Sequence, residues 1–294
     1  MTASIRPQGQ DRQTLEVGGI QVTALLDGIA DIDPIAEAFP GAPPAELLAG
    51  RERYPGVYGE NDAWRLRVRA WLIRAQGSLI LVDTGIGVEG APGPGWFGAT
   101  GDLMPQLHAE GIRPGDINQV IITHVHDDHV GGSVTSGGEP AFPSARYVVQ
   151  TADLAWLRGL AAGGGDELEF WNTLLKPLVD KGVVQEVEGT VELASGVEVQ
   201  LFPGHTPGHQ VVRIASEGQH LVISGDALTH PMQLSHPDWT HMSDDDPAVA
   251  AASRRRLIAG FSSQPDMVLA PTHFTEPFGK LTFEPGDQVG WKAV

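Results

Sequence analysis

The sequence has no cysteine and few basic residues: 19 lysines and arginines stand against 37 aspartates and glutamates, a formal net charge of −18 over 294 residues. Without cysteine there is no disulfide, no thiolate ligand and no cysteine nucleophile, so any metal must be held by histidine and carboxylate. The charge balance works against polyanions. A phosphate backbone or an anionic membrane surface is repelled over most of such a surface, and no nucleic-acid or membrane partner is expected. The only basic run, Arg254 to Arg256, follows "DDDPAVAAAS" in a helical pattern and reads as a solvated face opposite those aspartates. Long apolar runs are missing too. No stretch approaches a membrane span, and "MTASIRPQGQDRQ" has no apolar core of the kind an export leader carries, so the expectation is a soluble, cytoplasmic chain.

What is present is ordinary globular material: 41% apolar residues, with 37 glycines and 22 prolines spread through many turns. "TLEVGGIQVTALLDG" reads as two strands broken at Gly18-Gly19 and ending in a turn at Asp27-Gly28. Residues 33–62 hold too much proline and glycine for a regular element and read as an excursion over the surface, of the kind that walls a pocket. "RAWLIRAQGSLILVDTG" gives two more strands around Gly77-Ser78, the second ending at Asp83, followed by a loop carrying Trp96 and Phe97. Helix and strand then alternate through "DLMPQLHAEG", "DINQVIIT", "RYVV", "TADLAWLRGL" and "ELEFWNTLLKPLVD". The strands "VVQEV", "VEL", "VEVQLF", "QVVRIAS" and "HLVISGD" follow, with a long loop at 227–246, the helix "PAVAAASRRRLIAGF" and the strand "DMVLA". Two successive sets of this kind predict an α/β (α+β) fold, a four-layer αββα sandwich of two mixed sheets flanked by helices. No linker separates independent units, so one domain over 1–294 is expected, with pseudo-duplicated halves at about 14–190 and 191–285.

The chemistry concentrates in "THVHDDHVGG", directly after the apolar run "VIIT". In an extended segment residues two apart point the same way, so His124 and His126 can converge on one point. If the chain turns helical at Asp128, then Asp128 and His129 reach a second point at roughly the 3.5–4 Å spacing of two-metal sites. The remaining ligands belong where other strands end: His205 after "VEVQLF", Asp226 after "HLVIS" and His273 after "DMVLA". One metal then takes His124, His126 and His205, the other Asp128, His129 and His273, and Asp226 bridges both. Asp127, equally acidic, binds neither. Each residue taken alone has a plainer reading, as a loop histidine, a helix cap or a buried histidine. Those readings would have to hold jointly for a six-residue cluster and three strand-end groups in one chain.

Together "LVDTG", "THVHDDHVGG", "FPGHTPGH", "SGD" and "PTHF" resemble the metallo-β-lactamase superfamily in its dinuclear-hydrolase form, over about Thr14 to Leu281. The resemblance implies the αββα fold, the seven ligands above, and supporting roles for Asp83, Thr206 and His209. Independently of family, Asp83 at a strand end suits the second nitrogen of a ligand imidazole. "ALLDG", "DTG" and "SGDALTHPMQLSHPDW" look most like the branch of methyl-parathion-hydrolase-like and quorum-quenching lactonase-like enzymes. The lactonase type carries a tyrosine three residues after the bridging aspartate; here Thr229 stands there, followed by His230. β-Lactamases of the family are usually exported and no export signal is visible here, a glyoxalase II is expected to carry a basic C-terminal surface where this chain has the acidic "SDDDPAV", and the redox diiron branch alters ligands that are intact here.

The expected cofactors are two divalent metal ions per chain, zinc in the first instance, with manganese, iron or cobalt suited to the same ligands. The expected reaction is hydrolysis of a carboxylic ester or lactone by a metal-bridging hydroxide, with Asp128 and Asp226 as the catalytic carboxylates, Asp128 either shuttling a proton or serving only as a ligand. Phosphotriester hydrolysis is the alternative within enzymes, and a metal-binding regulatory protein the alternative outside them. The partner is a small ester, lactone or phosphotriester, and a homodimer is compatible on general grounds. Trp96, Phe97, Phe142, His230, Met232, Trp239 and Phe274 are candidate pocket residues, each with core packing as its other reading.

Overall fold

A computed structural model describes residues 4–5, 12–91, 99–284 and 288–294. Trp96 and Phe97 lie outside the described residues. Among the described residues the first sheet has eight strands and the second seven. In space the first runs Ser4–Ile5, Ile20–Pro34, Ala63–Ala75, Ser78–Val82, Gln119–Ile121, Arg146–Gln150 and Val184–Val187, with Gln13–Val17 also paired to Ile20–Pro34. The second runs in the order Gln288–Ala293, Gly279–Glu284, Val268–Ala270, Gln219–Ile223, Gln210–Ser216, Val197–Leu201 and Thr190–Ala194. Both sheets are mixed. Ser78–Val82, Gln119–Ile121, Arg146–Gln150 and Val184–Val187 pair in parallel, as do Gln219–Ile223 and Val268–Ala270.

The buried side chains sort into layers, as the sandwich requires. Val22, Trp71, Ile73 and Ile80 of the first sheet meet Val199, Val212, Ile214 and Leu221 of the second. On its outer face the first sheet packs Leu72 and Leu81 against Leu107, Leu154, Leu157 and Leu178 of its helices. Val211, Val222 and Leu269 of the second sheet pack against Leu257 and Phe261 of the helix Pro247–Ser263. That helix begins where Pro247 supplies a fixed φ and Asp246 accepts hydrogen bonds from the backbone of Ala248 and Val249, a cap worth about 1 kcal/mol. The four-layer αββα reading therefore holds.

Three local expectations change. Asp27-Gly28 is not a turn: the strand Ile20–Pro34 runs through it with a register shift between Leu26 and Gly28. Residues 33–62 contain the helix Pro44–Arg53, and Ile35, Phe39, Leu47, Val57 and Tyr58 are buried with Trp64, Met232 and Trp239 in a satellite core. The excursion is thus a packed wall, stabilised by tertiary burial that its composition does not reveal. The C-terminal hairpin Gly279–Glu284/Gln288–Ala293 was not anticipated; it places Leu281 and Val289 in the outer core.

The bulge at Asp27 turns its carboxylate inward, where Oδ2 accepts from Ile86 N and Oδ1 from Leu103 N, both at 2.8 Å. Burial pushes its pKa from 3.8 up to about 7, further than these backbone donors pull it down. Between those values the folded protein keeps a proton that the unfolded chain has lost, so this group's contribution to stability falls as pH rises through the window. From pH 5 to 8 the wild type should lose on the order of 3 kcal/mol relative to Asp27→Asn, read from urea midpoints. The difference cancels the titration of the histidines common to both proteins. Parallel curves for the two proteins would sink this expectation.

Candidate metal centre

The parallel strands deliver the cluster from their C-terminal ends, where open sheets of this kind gather their ligand sites. Asp83 follows Ser78–Val82, His124 and His126 follow Gln119–Ile121, Asp226 follows Gln219–Ile223, and His273 follows Val268–Ala270. The chain turns helical at Asp127–Val130, one residue earlier than expected, which carries Asp128 and His129 inward. His126 Nδ1 lies 3.0 Å from both His124 Nε2 and His205 Nε2. Nearby, His273 Nε2 and His129 Nε2 lie 3.0 and 3.3 Å from Asp226 Oδ1, and both are 3.6 Å from Asp128 Oδ2. Three groups thus come within metal-binding reach: His124/His126/His205, Asp128/His129/His273, and His124/His129/Asp226. Asp226 lies between the first two, with Oδ2 also 3.5 Å from His205 Nε2. Asp127 belongs to none of them, and its Oδ1 accepts from Asp128 N.

The outward partners of these rings settle their tautomers. Thr123 Oγ1 donates to Asp83 Oδ2, so it accepts from His124 Nδ1–H. His129 Nδ1–H donates to Asp83 Oδ2 at 2.7 Å, His205 Nδ1–H to Asp244 Oδ1 at 3.0 Å, and His273 Nδ1–H to the Arg67 carbonyl. In its neutral form each of these four rings then carries a bare lone pair on Nε2, aimed at its neighbours' lone pairs or at carboxylate oxygens. His129 Nε2 and Asp226 Oδ1 are buried and have no hydrogen-bond partner. Acceptors facing acceptors in a buried space repel, and a divalent cation among them is the group that relieves it. The residues present fit two such ions.

The electrostatics separate the two sets of ligands. Burial and the neighbouring imidazoles push His124 and His126 well below the usual histidine pKa. Burial also opposes charge on His129 and His273, yet Asp128 and Asp226 hold both above it. Asp226 is held well below the usual carboxylate range despite burial, by His273 and then His129. Protons and cations therefore compete for the same lone pairs.

The supports reach further than the sequence indicated. Asp83 sits at φ +60° in the left-handed region, a strained conformation that aims its carboxylate at Thr123 and His129. His209 accepts from Asp226 N at 2.9 Å and donates to the Phe202 carbonyl, fixing the backbone of Asp226. Gly225, at φ +49°, is required beside it, since a Cβ there would lie 2.7 Å from His209 Nε2. Thr206 bonds Asp153, which also accepts from Val125 N and Gly208 N and so ties the two histidine loops together. Asp153 was missed because in "TADL" it looks like an ordinary first-turn acid. Asp244 was missed as well, and Arg254 was misread. Arg254 is fully buried and donates to Asp244 Oδ2, while Arg255 and Arg256 alone occupy the solvated face. The signal was available: Ala250, Arg254, Leu257 and Phe261 recur on one helical stripe.

The cluster floors a cavity of about 280 Å³ walled by Ile32, Ala38, Trp64, Leu66 and Met242, with His241 at its side. Among the described residues lining it there is no lysine or arginine. The five expected pocket residues that are described lie outside this lining. Phe142 packs in the helical core and Phe274 lies edge-on to Trp291. Met232 and Trp239 belong to the satellite core, the latter stacked on His236. His230 is fully buried between Phe39 and Tyr58, with Nδ1 accepting from Met232 N, and burial takes its pKa down to about 3. Thr229 is bonded to Gln233 and does not line the cavity. In each case the loop's own packing turns inward a side chain that its composition suggested would face a ligand.

Residues 63–273 match the family model of the metallo-β-lactamase superfamily. An N-acyl homoserine lactonase of Bacillus thuringiensis is 26% identical over 205 residues, covering 65% of this chain and 75% of that protein. Another, from a Bacillus species, is 30% identical over 165 residues, covering 52% and 60%. Among solved structures, the hydrolase AbOPH superposes with a TM-score of 0.85 at 23% identity over 98% of this chain and 99% of its own. The dizinc quorum-quenching lactonase AidC gives 0.80 at 22%, over 96% and 97%. At these identities the structural matches speak to the fold. Among the described residues no helix is long and apolar enough to cross a membrane.

Proposed function

Because the chain belongs to the metallo-β-lactamase superfamily, we propose that it hydrolyses neutral lactones or carboxylic esters with two divalent metal ions. The observation that carries this reading is the convergence of the inward nitrogens of His124, His129, His205 and His273 with Asp128 and Asp226 under a largely apolar cavity whose described lining residues include no lysine or arginine. His124, His126 and His205 would hold one ion and Asp128, His129 and His273 the other, with Asp226 placed to serve both. Bound divalent ions supply Lewis acidity and water activation at neutral pH.

The chain's own groups do the rest. Asp83, Asp244 and the Arg67 carbonyl hold the ligand rings in one tautomer, so that no reorganisation is needed when substrate arrives. Asp128 lines the cavity and can take a proton from the attacking water and return it to the leaving oxygen. Trp64, Leu66 and Ile32 exclude water and favour apolar substituents. Among the described lining residues there is no lysine or arginine to pair with an anionic substituent away from the ligand cluster, so the walls themselves favour neutral, apolar substituents. A neutral phosphotriester meets the same condition and is the second reading.

The test is metal content followed by turnover of an aryl ester, an N-acyl homoserine lactone, a phosphotriester and nitrocefin. Two ions per chain are expected, with lactone or ester hydrolysis abolished by chelation and restored by zinc, manganese, cobalt or iron. Two bound ions and no turnover with any metal on any substrate would leave a metal-binding regulatory protein as the better reading.

A further inference from the structure

We propose that His241 donates a hydrogen bond from Nε2–H to the substrate's carbonyl or leaving oxygen, which makes it a specificity-determining residue of this site. The inference rests on the hydrolase reading above and deepens it. His241 lines the cavity together with Asp226 and His273. Its Nδ1 accepts from Ser243 N at 3.3 Å, and a nitrogen that accepts carries no proton, so the neutral ring bears its hydrogen on Nε2. That Nε2 has no hydrogen-bond partner among the described residues, and it is not sealed from the cavity as Trp64 Nε1 and His230 Nε2 are from solvent.

The ring is held on several sides. Phe39 and Trp64 meet it edge-on at 5.4 and 5.3 Å between centroids, and the ligand ring of His205 lies 6.0 Å away. Its backbone is fixed too: His241 N donates to Asp244 Oδ2 at 2.9 Å, and Met242 N donates to Ala38 O at 2.8 Å. Asp244 also accepts from His205 Nδ1 through Oδ1, and buried Arg254 donates to its Oδ2. One carboxylate thus sets the position of a metal-facing imidazole and of the cavity imidazole together. The other acidic groups lining the cavity, Asp127, Asp128 and Asp226, are carboxylates that accept hydrogen bonds and cannot donate one to a substrate oxygen. A donor preset in an apolar cavity gains strength when substrate displaces water, and removing one such donor typically costs about 10²–10³ in kcat.

The test compares His241→Leu and His241→Gln with the wild type in the zinc-loaded protein. For His241→Leu, kcat on the best lactone or ester should fall by roughly 30- to 300-fold with metal content unchanged, while His241→Gln, whose amide can still donate, should stay within about tenfold of wild type. Affinity for N-hexanoyl-L-homoserine, measured by calorimetry, should weaken at least about tenfold in the leucine variant. Retention of kcat within threefold by His241→Leu overturns the inference, as does unchanged product affinity or a wild type that does not bind the product. If the wild type turns over nothing, the hydrolase reading fails by itself, and ¹⁵N shifts decide the inference separately. A proton found on Nδ1 of His241 defeats it, whereas the neutral Nε2–H form together with tenfold loss of product affinity sustains it.

Discussion

Asp226→Asn should retain no more than one metal ion per chain after gel filtration and should turn over its best substrate at least a thousandfold more slowly than wild type. The substitution keeps the side chain's volume and changes little except charge and ligating capacity. Asp226 Oδ1 lies 3.0 Å from His273 Nε2 and 3.3 Å from His129 Nε2, and Oδ2 lies 3.5 Å from His205 Nε2. An amide can present one weak oxygen to one side; its NH₂ faces the other and cannot ligate. A loss of one ion removes half of the charge that stabilises the reacting oxygens, and a thousandfold in rate is roughly 4 kcal/mol. Elemental analysis and turnover measured on the same preparation check it. Two ions and full activity in the variant would remove Asp226 from its bridging position.

Arg254→Met should lower Tm by on the order of 10 °C and weaken metal binding about 10- to 100-fold. Arg254 and Asp244 are buried to within 1% of complete, 3.2 Å apart. Removing the cation leaves a buried carboxylate whose remaining partners among the described residues are His205 Nδ1–H and His241 N–H, a cost of about 3–5 kcal/mol. Arg254 also donates to the Pro237 carbonyl, so the loop before the helix loosens with it. The matched control is one residue away. Arg255, about half exposed and paired with Asp238, should tolerate methionine at a cost below about 1 kcal/mol. Adding Asp244→Asn to Arg254→Met should recover at least about 2 kcal/mol, because the unpaired charge is gone while an acceptor for His205 remains. Equal melting temperatures for the two arginine variants would mean that the buried pair does not hold the loop.

Much of the site was legible in the chain because its ligands come in short local patterns. His124, His126, Asp128 and His129 fall within six positions, and His205, Asp226 and His273 each follow an apolar run. The cavity was not legible. Residues 33–62 form a helix-bearing wall whose burial depends on Trp64 just beyond it and on Met232 and Trp239 far along the chain. The helix Pro44–Arg53 buries only Leu47 and Gly50, too few positions to show a period. Conversely Phe142 and Phe274, aromatic and beside strand ends, are core because sheets and helices close over them.

Residue order alone established the alternating strands and helices of an αββα sandwich, the absence of thiolate ligands, and a histidine–aspartate set spaced for two ions. These follow from side-chain type and from periods of two and of three to four residues, which act over a few positions. Folding alone decided which nitrogen of His124, His129, His205 and His273 faces an outward hydrogen-bond partner, that Arg254 and Asp244 are buried together, and that His241 rather than His230 lines the cavity. Those outcomes depend on partners such as Asp83 for His129, Asp244 for His205 and Arg67 for His273. Such partners lie tens to hundreds of residues apart, and only the packing of two sheets brings them within hydrogen-bond reach.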